Sequence, residues 1–216
     1  MNGASIIDQV LQDSFPNSRR DQALKWVQYR VSLIWANDEW EFVQAHKNDV
    51  TITSGQNTLA NLPTDMGPVV GIIPPNRDAL IPYDEYRDFA DLYIGPGSFQ
   101  PALPDAFCVV DGVVFVGPTS TETANYQLIY ERTPPVIADD SSAIPMPDPF
   151  EGTIVDAAKA RGFTLTNNPL GAGFEASCQE GLQSLRRLYL RSMRGTSTQA
   201  PAYRPGGLYG WWPGNW

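Results

Sequence analysis

The chain has 216 residues, 42% of them hydrophobic and 18% charged, a composition that suits a folded chain with a buried core and excludes a disordered one. Its net charge of −9 hides a split: residues 1–180 carry all 24 acids and 10 of the 15 bases, whereas residues 181–216 carry five arginines and no acid. So acidic a chain lacks the basic footprint needed to wrap nucleic acid, and its blocks of opposite sign predict two surfaces with different partners.

No apolar run reaches the length of a membrane span. The stretch MNGASIIDQVLQDSF has neither a basic region nor a continuous apolar core, so it does not read as a secretory signal, and synthesis in the cytoplasm is expected. Residues 4–11 predict a short helix, and Asn17 or Ser18 stands where it could cap a second one. In that second helix Leu24, Val27, Val31 and Ile34 recur at steps of three and four, and Ala23, Trp26 and Trp35 widen the stripe.

From Trp40 the period changes. EFVQAH, DVTIT and NTLANLP alternate or are rich in β-branched residues, punctuated by Ser54-Gly55 and Pro63, and GPVVGIIPP and DALIPY continue the strand signal. Residues 83–93 interrupt it with a short amphipathic helix presenting Tyr83, Tyr86, Phe89 and Ala90. AFCVVDGVVFVGP reads as a β-hairpin around Asp111-Gly112, a pair favoured by type I′ turns. NYQLIYERT then alternates Tyr126, Leu128 and Tyr130 with polar neighbours.

Residues 133–147 are rich in proline and predict an irregular connector. Asp148 is placed to cap a helix whose inward residues are Phe150, Ile154, Val155, Ala157 and Ala158. A loop at Asn167-Asn168-Pro169 leads to a last helix from Phe174 to about Met193, with Phe174, Cys178, Leu182, Leu185, Leu188 and Tyr189 as its apolar stripe. The expected fold class is α+β. Residues 1–39 and 148–195 form an α-helical bundle, residues 40–132 an inserted, mainly antiparallel β domain, and residues 196–216 an extended aromatic C-terminal tail.

Catalytic chemistry is not legible in this pattern. His46 is the only histidine, stands in a predicted strand, and has no cysteine or carboxylate at metal-ligand spacing, so it reads as structural. No G-x-S-x-G elbow occurs, and neither cysteine can be given a histidine partner. Cys108 and Cys178 read as reduced core residues, with a disulfide as the alternative. Asp139-Asp140 reads as a solvated loop. Gly171-Ala172-Gly173-Phe174-Glu175-Ala176 matches G-x-G-x-x-A, but no firm strand precedes it and no acid follows Glu180 to bind a ribose. A flexible loop entering a helix explains it better. No catalytic, cofactor or metal residue is expected.

Two features point to partners instead. Arg186, Arg187, Arg191 and Arg194 exceed what a helix dipole needs, and helical spacing sets Arg187, Arg191 and Arg194 on one side, away from Leu182, Leu185 and Leu188. Beyond them Tyr203 precedes the ending RPGGLYGWWPGNW, in which Tyr209, Trp211, Trp212 and Trp216 stand among glycines and prolines. Exposed aromatic surface of this kind marks a contact site. Such a tail is expected to be mobile alone and ordered on a partner, the alternative being that it folds back over its own β domain.

In order, these elements resemble the head–tail adaptor proteins of tailed bacteriophages, the family that includes tail tubular protein A. The resemblance covers roughly residues 1–195. Its carriers are the short first helix, the long helix ending in Trp35, the Trp40-Glu41-Phe42 step into a strand, the Leu62-Pro63 strand end and the hairpin reaching Val116-Gly117-Pro118. The Tyr130-Glu131-Arg132-Thr133-Pro134 exit, Ile144-Pro145, and the helix of Phe150, Ile154, Val155, Ala157 and Ala158 complete it. The tail after Gly195 does not align with that pattern.

The resemblance implies a non-enzymatic virion protein, found in the neck between head and tail and needing no cofactor. It implies a helical bundle carrying a β domain, assembled as a homo-oligomeric ring of twelve that binds the portal protein above and a neck or tail protein below. Genomic DNA would pass through the lumen without sequence-specific binding, and acids such as Asp84, Glu85, Asp88 and Asp91 could keep it from sticking. No membrane is involved. Arg187, Arg191, Arg194, Tyr203, Tyr209, Trp211, Trp212 and Trp216 are the candidate residues for the portal or a neighbouring subunit. The alternatives are another neck component, such as a head-closure or tail-tube protein, or a β-sandwich ligand-binding module.

Overall fold

A computed structural model describes residues 1–12, 14–75, 77–95, 100–139 and 141–190. Helix α1 (Gly3–Leu11) starts where the Asn2 side chain accepts the Ala4 N–H at 3.1 Å, filling one of the first turn's orphan donors. The chain enters α2 (Arg20–Asn37) through a 3₁₀ turn, Asn17–Arg19. The expected cap by Asn17 or Ser18 is therefore replaced: the Arg20 N–H donates to the Asn17 carbonyl instead. Short α3 (Tyr86–Tyr93) lies within the β region, and α4 (Glu151–Leu165) and α5 (Leu170–Tyr189) follow the connector. Asp148 makes no capping bond either, because a second 3₁₀ turn, Asp148–Phe150, leads into α4.

Helices from both ends of the sequence share one hydrophobic core. Ile7 of α1, Val27 and Val31 of α2, Ile154 and Ala158 of α4 and Leu182 of α5 are all buried in it. The proline-rich stretch before α4 is not a loose strap. Ile137, Ile144 and Met146 are buried in the same core. Proline-rich chain offers few N–H groups, so side chains must satisfy its backbone. Gln28 of α2 does so, accepting the Ile137 N–H at 2.5 Å and donating to the Pro135 carbonyl at 3.1 Å.

The strands are β1 (Gln44–Ile52), β2 (Met66–Ile73), β3 (Ile81–Tyr83), β4 (Ala106–Val110), β5 (Val113–Gly117) and β6 (Ala124–Arg132). One sheet runs β1-β6-β2, antiparallel throughout; the other runs β3-β4-β5, with β3 parallel to β4. The period-2 alternation of β6 buries Tyr126, Leu128 and Tyr130 against Phe107, Val114 and Val116 of the second sheet. The second sheet's other face meets α3 through Phe89, Tyr93, Ala106 and Cys108. Asp111 and Gly112 take φ of 49° and 77°, the left-handed pair a type I′ hairpin requires. The expected strand at NTLANLP is a correction. Thr58 bridges Phe115 and Ala60 bridges Thr51, so this segment divides its hydrogen bonds between the two sheets and extends neither.

Candidate docking interface

The end of α5 has an inner and an outer side. Leu182 and Leu185 are buried, and the Tyr189 ring lies 5.5 Å from Phe150. Leu188 is 70% exposed, so it does not continue the apolar stripe expected of it. The helix also stops short of Met193. Leu190 turns out of it into extended backbone (φ −66°, ψ 135°), donating its N–H to Arg186 O at 3.1 Å and pairing with Trp40 in an antiparallel bridge.

The arginines consequently differ in role. Arg186 folds inward and pairs with Asp38, just beyond α2, at 3.0 Å. Arg187 is exposed. Arg191, Arg194, Tyr203, Tyr209, Trp211, Trp212 and Trp216 lie outside the described residues, as does the tail's expected mobility. A groove of about 370 Å³ opens beside Asp38, with Trp35, Trp40 and Pro134 as apolar wall and Asp38, Glu39, Glu131 and Arg132 as its charged groups. Sequence reasoning missed it. Only the step Asp38-Glu39-Trp40, acids directly against an aromatic at a helix end, hinted at it.

The acids proposed for a lumen, Asp84, Glu85, Asp88 and Asp91, are all exposed, whereas Phe89 and Tyr93 hold α3 to the sheet. Of the face expected for this helix, Phe89 is buried and Tyr93 joins it, Tyr86 is 39% exposed and lies over Phe115, and Tyr83 belongs to β3, its ring 5.8 Å from that of Phe89. Asp139 accepts hydrogen bonds from the Ser141 amide and the hydroxyls of Ser141 and Ser142. These bonds, that to the Ser141 side chain foremost, hold its carboxyl below the usual range.

The remaining polar candidates sit apart. His46 is exposed on β1. Cys108 and Cys178 are buried and unpaired with each other, and burial pushes both thiols up, that of Cys178 to about 11. Among the described residues no three His, Cys, Asp or Glu side chains converge on a point that could hold a metal. No described helix is long and apolar enough to cross a membrane. Gly171 and Gly173 lie inside the first turn of α5, not in a loop ahead of it, and α4 rather than a strand precedes them. A Cβ on Gly171 would come within 3.3 Å of Ala160 O, so this glycine serves close helix–helix approach, not a pyrophosphate.

No curated protein matches the chain. The family model described as SU10 adaptor protein matches residues 1–205, taking in α1 to α5 and β1 to β6 among the described residues and running past Gly195. The chain belongs to the SU10 adaptor protein family, a family of phage head–tail adaptors.

Proposed function

We propose that the protein assembles as a ring of twelve beneath the portal, joins the DNA-filled head to the tail and continues the DNA channel. The observation that carries this reading is the family match over residues 1–205. It supports a structural role in the virion neck, following synthesis in the host cytoplasm, without catalysis or cofactor. In this reading residues 1–39 and 148–195 form the helical domain, residues 40–132 the inserted β domain, residues 133–147 the connector and residues 196–216 the tail.

Arg187, Arg191 and Arg194 with Tyr203, Tyr209, Trp211, Trp212 and Trp216 form the docking element toward the portal or a neighbouring subunit. Arginine and large aromatics suit that task, since they dominate binding energy at protein contacts. Acids such as those on α3 would repel passing DNA wherever they face the lumen. Electron microscopy of the purified protein, alone and with portal, tests the assembly. A twelve-fold ring on the portal is expected. A six-fold ring would point to a head-closure or tail-tube role and overturn the adaptor geometry, and glycan binding by an unassembled subunit would point to a ligand module.

A further inference from the structure

The chain leaves α5 at the rim of the groove described above. Leu190 pairs with Trp40 in antiparallel sense, and antiparallel pairing advances along one segment as it retreats along the other. Continued by one step, it would set residue 191 beside Glu39; by two, residue 192 beside Asp38. At that place the groove presents Asp38, Glu39 and Glu131; Arg132 lines it too, and Arg186 already holds Asp38, so an excess of one negative charge remains. Residues 191–216 bring Arg191, Arg194 and Arg204 and no acid. Guanidinium groups form charge-assisted bonds to carboxylates.

We propose that in the free subunit residues 191–195 occupy this groove of their own chain, with Arg191 and Arg194 against its carboxylates. The peptide link at Leu190 favours the chain's own segment over another copy's, because a short tether gives an effective concentration of roughly millimolar order. The inference rests on the docking-element reading and refines it. The arginines would then fix the element's base beside Leu190.

Hydrogen exchange on the full-length protein, read by mass spectrometry at low salt, tests this. Amides 192–195 are expected to exchange at least about tenfold more slowly than in a peptide of the same sequence, at a rate independent of protein concentration. Glu39→Arg, or Arg191→Glu with Arg194→Glu, should return them to the peptide rate while the amides of α2 and α5 keep their protection. Peptide-rate exchange in the unaltered protein would overturn the proposal. Protection that grows with protein concentration would assign the groove to a neighbouring copy and overturn same-chain occupation. No portal enters the measurement, so its outcome is independent of whether the tail attaches to one.

Discussion

Arg186 grips Asp38 with two nitrogens: Nε lies 3.1 Å from both carboxylate oxygens and Nη2 3.0 Å from Oδ2. The contact ties the last turn of α5 to the residue after α2, and so fixes where the chain departs at Leu190. Both side chains are partly shielded, at 35% and 17% exposure, which raises the pair above an open surface ion pair. Asp38→Asn is expected to cost about 1–2 kcal/mol in urea unfolding. A double-mutant cycle with Arg186→Met should return most of that as coupling energy; a coupling near zero would show that the pair positions nothing.

The Gln28 clamp makes a second stability prediction. Replacing Gln28 by Met keeps the side chain's length but leaves the Ile137 N–H and the Pro135 carbonyl without their partner. The expected cost is about 2–4 kcal/mol, one desolvated group at each end. Hydrogen exchange at Ile137 locates it: protection there should fall before that of α2. Unchanged exchange would mean that the apolar anchors Ile144 and Met146 hold the connector unaided.

Gly181 meets Thr153 where α5 crosses α4. A Cβ at Gly181 would stand 2.5 Å from Thr153 Oγ1. Gly181→Ala should therefore destabilise the protein by about 1–2 kcal/mol through overpacking, although alanine is the better helix former. In a Thr153→Ala background the clash is gone, and the same change should stabilise by up to about 1 kcal/mol. Thermal unfolding of the four proteins reads this reversal of sign directly, and a cost unchanged by Thr153→Ala would refute the clash.

Legibility followed how local each determinant was. The stripe of α2, the Asp111-Gly112 hairpin and the alternation of β6 are set by neighbouring residues, and each stands where its pattern put it. The entry to α2 was misread because a backbone 3₁₀ bond did the work expected of the Asn17 or Ser18 side chain. The end of α5 was misread for a tertiary reason. The sequence Leu188-Tyr189-Leu190 continues a helical pattern, but pairing with Trp40, distant in sequence, draws Leu190 into extended backbone. The groove was invisible for the same reason: its walls come from residues 35–40, Val43, Gln44, Pro68 and residues 131–134.

Alkaline pH should unfold the protein progressively. Burial raises the ionisation of Tyr93, Tyr126 and Tyr130 above the usual 10.0, and that of Cys178 from 9.0 to about 11. Each is therefore neutral in the fold at a pH where the unfolded chain would already ionise. Their contribution is complete below pH 9, the ordinary thiol value, and is lost as pH rises through the raised values. Tyr126→Phe removes one such group, so it should leave stability at pH 7 nearly unchanged and move the alkaline midpoint upward in circular dichroism. A midpoint that does not move would deny Tyr126 this role.

The tail decides whether attachment resides in the aromatics. The groove beside Leu190 is the surface proposed for the arginines, whereas Tyr209, Trp211, Trp212 and Trp216 stand in Gly/Pro sequence suited neither to helix nor to ordinary strand. Ordering such a segment on a partner costs conformational entropy, and large rigid rings offset it with few rotatable bonds. A chain ended after Gly195 keeps Arg191 and Arg194 and loses every ring from Tyr203 onward. It is expected to retain its melting temperature, its circular dichroism and the exchange protection of residues 192–195, yet to lose attachment to the portal in co-sedimentation. Undiminished attachment would show that the tryptophans are not the anchor. A large fall in melting temperature would show instead that the tail folds back on its own β domain and supports the subunit that bears it.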